Sequence, residues 1–309
     1  MLFPNTGILP QNRLSSRRTL YILVLALLVA FPSLSLSDTS AEELPLFQYW
    51  LDSTYGNDSN SGTIQSPWAT LNGFSIKMTE GGRGRVGRYD VQLSPGYYPA
   101  TEVNLLSYAD WTFRRCTECP PGARLEEQVY IQPVPLVGSS GPVFSSFGRV
   151  DPNNWDGAKI RFEGVIMEPY PSAGNSTFPG GEEATPPLQV DSKFRKMLFD
   201  IDTTGLEFVN CEVRGFQFSG RASFVDACLS ISIINSTFHN NHAIDLVTES
   251  FSPLFGRYHE LTPYPACFID HSTFRNNTAT GLSVDGAFFR VNGKSIISNS
   301  VFVDNRAQI

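Results

Sequence analysis

Leu229, Ile231 and Ile233 alternate with polar residues, a period of two that turns one side of an extended strand inward and the other toward solvent. The next apolar residue of the same kind, Phe238, stands five positions after Ile233. An odd step flips the facing, so a corner has to intervene. The arrangement recurs. With Asn210, Asn235, His271 and Asn299 as position zero, at spacings of 25, 36 and 28 residues, Phe208, Ile233, Ile269 and Ile297 stand two positions earlier. Val213, Phe238, Phe274 and Phe302 stand three positions later, and the small residues Cys211, Ser236, Ser272 and Ser300 follow position zero directly. Asn suits such a corner because it tolerates left-handed backbone and can hydrogen-bond along its own column. Asn241, Asn277 and Asn305, six positions on and ahead of Ala243, Ala279 and Ala307, predict a second corner.

Short strands bent at Asn corners and repeated about every 25 residues predict the coils of a β-solenoid, in which Ile stacks on Ile and Phe on Phe. No single coil could bury its own apolar face, so the repeat is read as structural. The long 36-residue interval holds the Pro-rich SFSPLFGRYHELTPYP, which leaves one corner as a loop. A leucine-rich repeat would need a Leu-x-x-Leu-x-Leu frame that these blocks lack, and an immunoglobulin-like sandwich would give no matching columns. The last coil closes at Ala307 without a polar cap or covering helix, which leads to the expectation that the sequence is a truncated product or continues in a longer protein.

The remaining chain divides in three. Arg13, Arg17 and Arg18 precede the apolar run Leu20 to Phe31, and small and hydroxyl residues follow, the order of a secretory signal peptide. Residues 1–41 are therefore expected to be a signal peptide or, if uncleaved, a signal anchor, with 42–309 forming the solenoid. Within it, 106–190 is dense in Gly, Pro and Ser around one strand pair, AKIRFEGVIMEPY, and is expected to form irregular coils with long loops; 200–309 carries the regular repeats. Near the start, YGNDSNSGT followed by SPWATL resembles the opening of secreted right-handed parallel β-helix proteins of the pectin-lyase-like superfamily. YDVQLSPGYYPATEVNL, at 89–105, is similar to the strand, Pro-Gly-Tyr turn and strand that follow it there. The nine-residue blocks NSTFHNNHA, HSTFRNNTA and NSVFVDNRA resemble the Phe-x-x-Asn repeats of polymorphic outer membrane proteins. The expected fold is thus all-β, a right-handed parallel β-helix with loop insertions behind an N-terminal signal segment.

Composition narrows the function. A net charge of −7 with no clustered Lys and Arg beyond the glycine-broken GGRGRVGR argues against a nucleic-acid partner. Five cysteines are an odd set, so at least one thiol stays unpaired within a monomer even where disulfides form. Cys116 and Cys119 are the one close pair; with no second pair at ligand spacing, a local disulfide or two free thiols is preferred to zinc.

Candidate chemistry is sparse. Asp58, Asn60 and Gly62 in DSNSG are spaced like the start of a calcium loop, but no bidentate Glu closes twelve residues, and a tight cap turn is preferred. FIDHSTF, at 268–274, resembles a Trp-Ile-Asp-His element of pectate and pectin lyases, which would make Asp270 and His271 catalytic candidates. His271, however, occupies the corner that Asn fills elsewhere. Asp200 and Asp202 share one face of a strand, the nearest approach to a carboxylate pair, although they more simply flank an inward Ile201. The RxPxxR element of pectate-lyase relatives and the NTD, DD, GHG and RIK elements of polygalacturonase relatives are absent, as is a GxSxG nucleophile elbow.

The expectation is a secreted or cell-surface scaffold for adhesion or glycan contact, without catalysis; the alternative is a polysaccharide lyase or glycoside hydrolase acting on acidic cell-wall polysaccharide. No cofactor is expected, calcium excepted, and a membrane would be met only through the N-terminal anchor. Four Asn-x-Ser/Thr sites occur, at Asn57, Asn175, Asn235 and Asn276. Glycans are expected at Asn175, in a loop, and at Asn276, and none at Asn235, whose amide would be engaged in the corner column.

Overall fold

Short apolar runs from successive coils pair in parallel, each with its counterpart one coil on, so side-chain columns and backbone ladders extend together along the stack. A computed structural model describes residues 44–80, 85–106, 109–123, 126–135, 142–147, 159–171, 198–218, 224–244, 267–280 and 295–308, with backbone alone at 202–204, 226–229, 243–244, 279–280 and 307–308. The proposed signal segment lies outside the described residues, among which no helix is long and apolar enough to cross a membrane.

The described strands form three parallel sheets of ten, seven and four strands. The first runs from Leu46–Leu51 through Arg88–Leu93, Asp110–Arg115, Lys159–Glu163, Phe199–Val209, Val225–Ile234 and Cys267–Asp270 to Ser295–Ser298. The second runs from Gly96–Ala100 to Val301–Val303, and the third from Gln217–Phe218 to Arg306–Gln308. Each coil visits the sheets in turn, the arrangement of a parallel β-solenoid. The columns hold: Phe208 pairs with Ile233, Ile233 with Ile269, and Ile269 with Ile297. Val213, Phe238, Phe274 and Phe302 pair likewise in the second sheet. The rings of Phe238 and Phe274 stack at 5.3 Å, and those of Phe274 and Phe302 at 4.7 Å.

The first corner is left-handed at Asn210, Asn235, His271 and Asn299, with φ between 46° and 55°. Gly164 (φ 65°) extends this column one coil earlier, a member that no Asn announces in the sequence. The second corner differs from expectation. Its left-handed residues are Gly215, Asn240, Asn276 and Asp304, five positions after zero, whereas Asn241, Asn277 and Asn305 turn inward. Asn241 Nδ2 donates to Asn277 Oδ1 at 3.0 Å, and Asn277 Nδ2 to Asn305 Oδ1 at 2.9 Å. The backbone N–H groups of Phe216, Asn241 and Asn277 donate to the Oδ1 of the Asn one coil on. These amides satisfy backbone groups that burial would otherwise leave unpaired. The small residues after position zero do the same at the first corner: Cys211 N, Ser236 N and Ser272 N donate to the hydroxyls of Ser236, Ser272 and Ser300.

The described parts of 106–190 are more regular than their composition suggests. Strands Asp110–Arg115 and Lys159–Glu163 join the first sheet, Val129–Pro133 and Ile166–Met167 the second, and Phe144–Phe147 pairs in parallel with Val103–Leu106 and Phe199–Val209. Their core is aromatic: Phe113, Phe162 and Phe208 stack at 5.4 and 5.6 Å, and Trp111, fully buried, donates its indole N–H to Leu106 O. At the N-terminal end one helix, α1 (Leu71–Thr79), was not expected from the sequence. Thr70 caps it by accepting from Gly73 N, and Leu71, Phe74 and Met78 face the core, where Phe74 meets Trp68, Trp111 and Phe113.

Candidate functional site

DSNSG is a cap. Asp58 Oδ1 accepts from Ala69 N and Thr70 N, and Oδ2 from the Thr70 hydroxyl, so the carboxylate secures the entry to α1. Asn60 instead donates to Pro67 O, and Gly62 (φ 76°) packs against the Trp68 ring. Asp58 and Asn60 thus serve different partners and form no joint ligand set; among the described residues no three His, Cys, Asp or Glu side chains gather around a metal position.

His271 is an exposed left-handed corner residue, and its Nδ1 lies 2.8 Å from Asp270 Oδ2. Hydrogen bonds from Ser298, His271 and Asn299 hold the Asp270 carboxyl down at about 2. A carboxylate held this acidic and bonded into the next coil is a weak base at neutral pH. Ile201 is fully buried, as its flanking acids suggest; Asp200 is half-buried, and the Asp202 side chain lies outside the described residues. Asn175 also lies outside them. Asn57, Asn235 and Asn276 are all exposed. Asn235 Nδ2 donates to Asn210 Oδ1 and Asn276 Nδ2 to Asn240 Oδ1, each at 2.7 Å, so the contrast drawn between Asn235 and Asn276 has no counterpart in their geometry.

The outer faces of both large sheets carry charges that pair with one another. On the first, Arg114 forms a two-pronged pair with Asp90 at 2.8 Å, and Lys159 and Arg161 both reach Glu207. Burial pushes the Asp90 carboxyl up, but hydrogen bonds from Arg114, Gln48 and Gln92 outweigh it and leave it below the usual range. Asp110 moves the other way, because burial dominates. On the second, Arg214 joins Glu168 and Glu212, while His239 Nε2 donates to Glu212 with its Nδ1 accepting from Asn240.

One carboxylate is different. Asp52 follows the fully buried Leu51 at the end of the first strand, and its Oδ1 accepts from Thr54 N and Tyr55 N at 2.9 Å, an Asx turn. The turn is locked by Gly56, where a Cβ would stand 2.2 Å from Trp68 O. Asp52 is only 2% exposed, and its Oδ2 has no hydrogen-bond partner among the described residues. A buried acceptor left unpaired is costly. Its charge is felt inside: burial drives the Tyr98 phenol far above its usual range, and Asp52 adds to the shift.

Asp52 opens into a pocket of about 130 Å³ lined by Thr54, Tyr55, Pro95, Gly122, Ala123 and Glu127. Tyr55 is 62% exposed, its ring beside Gly122. The opposite wall is the CTECPPGA loop, fixed by the Cys116–Cys119 disulfide, by Trp50 Nε1 donating to Glu118 O, and by Ala123 N donating to Pro120 O. Residues from three separated segments therefore build one acidic cleft with an aromatic rim. The sequence held one local cue, an Asp two residues ahead of the turn Thr-Tyr-Gly, but nothing in it joined that turn to Gly122 or Glu127.

The fold defines a parallel β-solenoid with an acidic, Tyr-rimmed cleft near its N-terminal end. No protein family, curated protein or solved structure matches this chain in sequence or in fold.

Proposed function

We propose that the protein is a glycan-contacting scaffold of the right-handed parallel β-helix kind, secreted or displayed at a cell surface, and that the Asp52 cleft is where it meets the sugar. The observation that carries this reading is a cleft lined by the acidic residues Asp52 and Glu127 whose rim is an exposed tyrosine. A sugar offers both complements: hydroxyl donors for the carboxylate and a C–H face for the ring. Two carboxylates, Asp52 and Glu127, repel a uronate and select a neutral or amino sugar. The Cys116–Cys119 disulfide supports an oxidising compartment, and the Arg-flanked apolar run at the N-terminus supports export. Catalysis is left out of the proposal because the charged groups on the sheet faces spend their hydrogen bonds on one another.

The test is binding to a panel of neutral, amino and acidic polysaccharides, measured by calorimetry, alongside depolymerisation assays with and without calcium. A neutral or amino glycan should bind, and Tyr55→Ala should weaken it at least about tenfold with an unchanged melting temperature, since the residue is exposed. Binding indifferent to Tyr55→Ala, or restricted to acidic polymers, would remove the cleft from the account. Chain cleavage abolished by Asp110→Asn would favour the enzymatic alternative, because Asp110 is the described carboxyl held above its usual range by burial.

A further inference from the structure

Tyr55 and Tyr97 are the exposed tyrosines among the described residues, at 62% and 48%, and the fold brings both to one corner. Tyr97 lies in Gly96–Ala100, the first strand of the second sheet, which follows directly on Pro95 in the wall of the Asp52 cleft. Gly96 (φ 148°) makes the junction: a Cβ there would stand 2.5 Å from Ser53 Oγ, so glycine lets the strand begin against the residue next to Asp52. Tyr98 fastens that start to the first coil, its buried hydroxyl lying 3.0 Å from Leu51 O and 2.8 Å from Ser94 O. With Tyr98 inward, Tyr97 faces outward, because neighbours along a strand alternate. The two positions from Pro95 to Tyr97 amount to about 7 Å of strand. One face of the Tyr97 ring stacks on Tyr130 at 4.7 Å with the planes 14° apart, and the strands carrying the two rings are paired in register. Among the described residues no strand pairs with the opposite side of Gly96–Ala100 and no ring covers the other face of Tyr97. Since Tyr130 belongs to the following coil, that open face turns toward the preceding one, which carries Asp52 and Tyr55.

We infer that the Asp52 cleft has a second subsite on the open face of Tyr97, and that the ligand spanning both is a linear amino-sugar chain with free ammonium groups. This rests on the glycan reading above and names its substrate class. A cleft of about 130 Å³ falls well short of the ~300 Å³ of pockets that enclose a whole small ligand, so a glycan held there runs on over neighbouring surface. Past Pro95 that surface is the Tyr97 ring, which takes the C–H face of the next sugar. Tyr130 and the strand register hold the ring in place before the sugar arrives, so stacking orders little that is not already ordered. Charge selects the sugar. Asp52 and Glu127 line the cleft and no Lys or Arg among the described residues does, so an ammonium is drawn in and a uronate carboxylate repelled. The two tyrosine faces favour the same choice, because the face of an aromatic ring attracts a cation.

The test is titration of the full chain with the monomer and the tetramer of β-linked glucosamine, followed by amide NMR shifts. The tetramer should bind at least about tenfold more tightly than the monomer and should move the Tyr97 amide as well as that of Tyr55. Tyr97→Ala should bring the tetramer down to the affinity of the monomer, whose own binding stays at the parent value and so reports an intact cleft. Tyr97→Phe keeps the ring face and should retain the gain. The N-acetylated tetramer, which carries no ammonium, should bind at least about tenfold more weakly than the free amine. A tetramer no tighter than the monomer, or a gain that survives Tyr97→Ala, overturns the second subsite and leaves the cleft as a site for one sugar. Equal binding by the acetylated tetramer overturns the choice of amino sugar. Equal binding by tetralysine overturns the inference as well, because charge without a sugar face would then suffice. Failure of both amines while a neutral glycan binds through Tyr55 sinks this inference alone, whereas no glycan binding at all removes the cleft with it.

Discussion

The first and last described coils treat the same columns in opposite ways. At the N-terminal end the strand Leu46–Leu51, the helix α1 and the Asp58 cap close the stack over a pile of aromatic rings, and Leu51, Phe74 and Trp111 are fully buried. In the coil of 295–308 the equivalent apolar residues stand open. Phe274 and Phe302 share a column, a facing and a ring stack, yet one is 2% and the other 45% exposed. Burial in a solenoid is thus conferred by the next coil and not by the residue itself. A capped end can afford large, irregular side chains; the regular coils need identical small ladders because each must fit the one after it.

The sharpest way to break this comparison is to truncate both rings. Phe274→Ala should destabilise the fold by about 3–5 kcal/mol, whereas Phe302→Ala, already half in water, should cost under about 1.5 kcal/mol, both read from urea midpoints. Similar losses would mean that the end coil is buried in solution. Next in size, Asn277→Ala removes the acceptor of Asn241 N and the donor to Phe238 O, and should cost about 2 kcal/mol in the same measurement. The capped end can be probed through pH. Asp90 has a native pKa below its ordinary 3.8, so its stabilising share is complete above that value and lost as pH falls through the native pKa. Asp90→Asn should flatten that acid limb of the stability profile, and an unchanged limb would remove the Arg114 pair from the account. Smallest of all, Arg275→Ala, on the exposed side of the Phe274 strand, should change stability by less than about 0.5 kcal/mol.

The regular coils were legible because their chemistry is periodic. Ile233, Phe238 and Ser236 repeat at matching offsets, and columns found in the sequence became pairs in the sheets. The second corner was misplaced by one residue for a physical reason. Asn is favoured both where the backbone turns left-handed and where an amide must bridge coils, and the pair Asn240–Asn241 does one job each. The sequence shows two asparagines and not which one turns. In 106–190 strands such as Asp110–Arg115 went unseen because their outward residues are charged partners of other coils, a pairing visible only once the register is known. α1 hid behind a Gly within its first turn, and that Gly is there because a Cβ at position 73 would stand 2.1 Å from the Asp58 carboxyl carbon. The Asp52 cleft could not be assembled at all, because its walls lie up to seventy-odd residues apart, from Asp52 to Glu127.

Native-state hydrogen exchange along the second-corner column tests the central claim most directly. The amides of Phe216, Asn241 and Asn277 each donate to an Asn one coil on, while that of Asn305 has no such acceptor among the described residues. The account predicts that Asn241 and Asn277 open only with large-scale unfolding, and that the Asn305 amide exchanges at least about a hundredfold faster than either. Asn277 exchanging as fast as Asn305 would contradict it, because the ladder that makes these repeats a stack would then not be there.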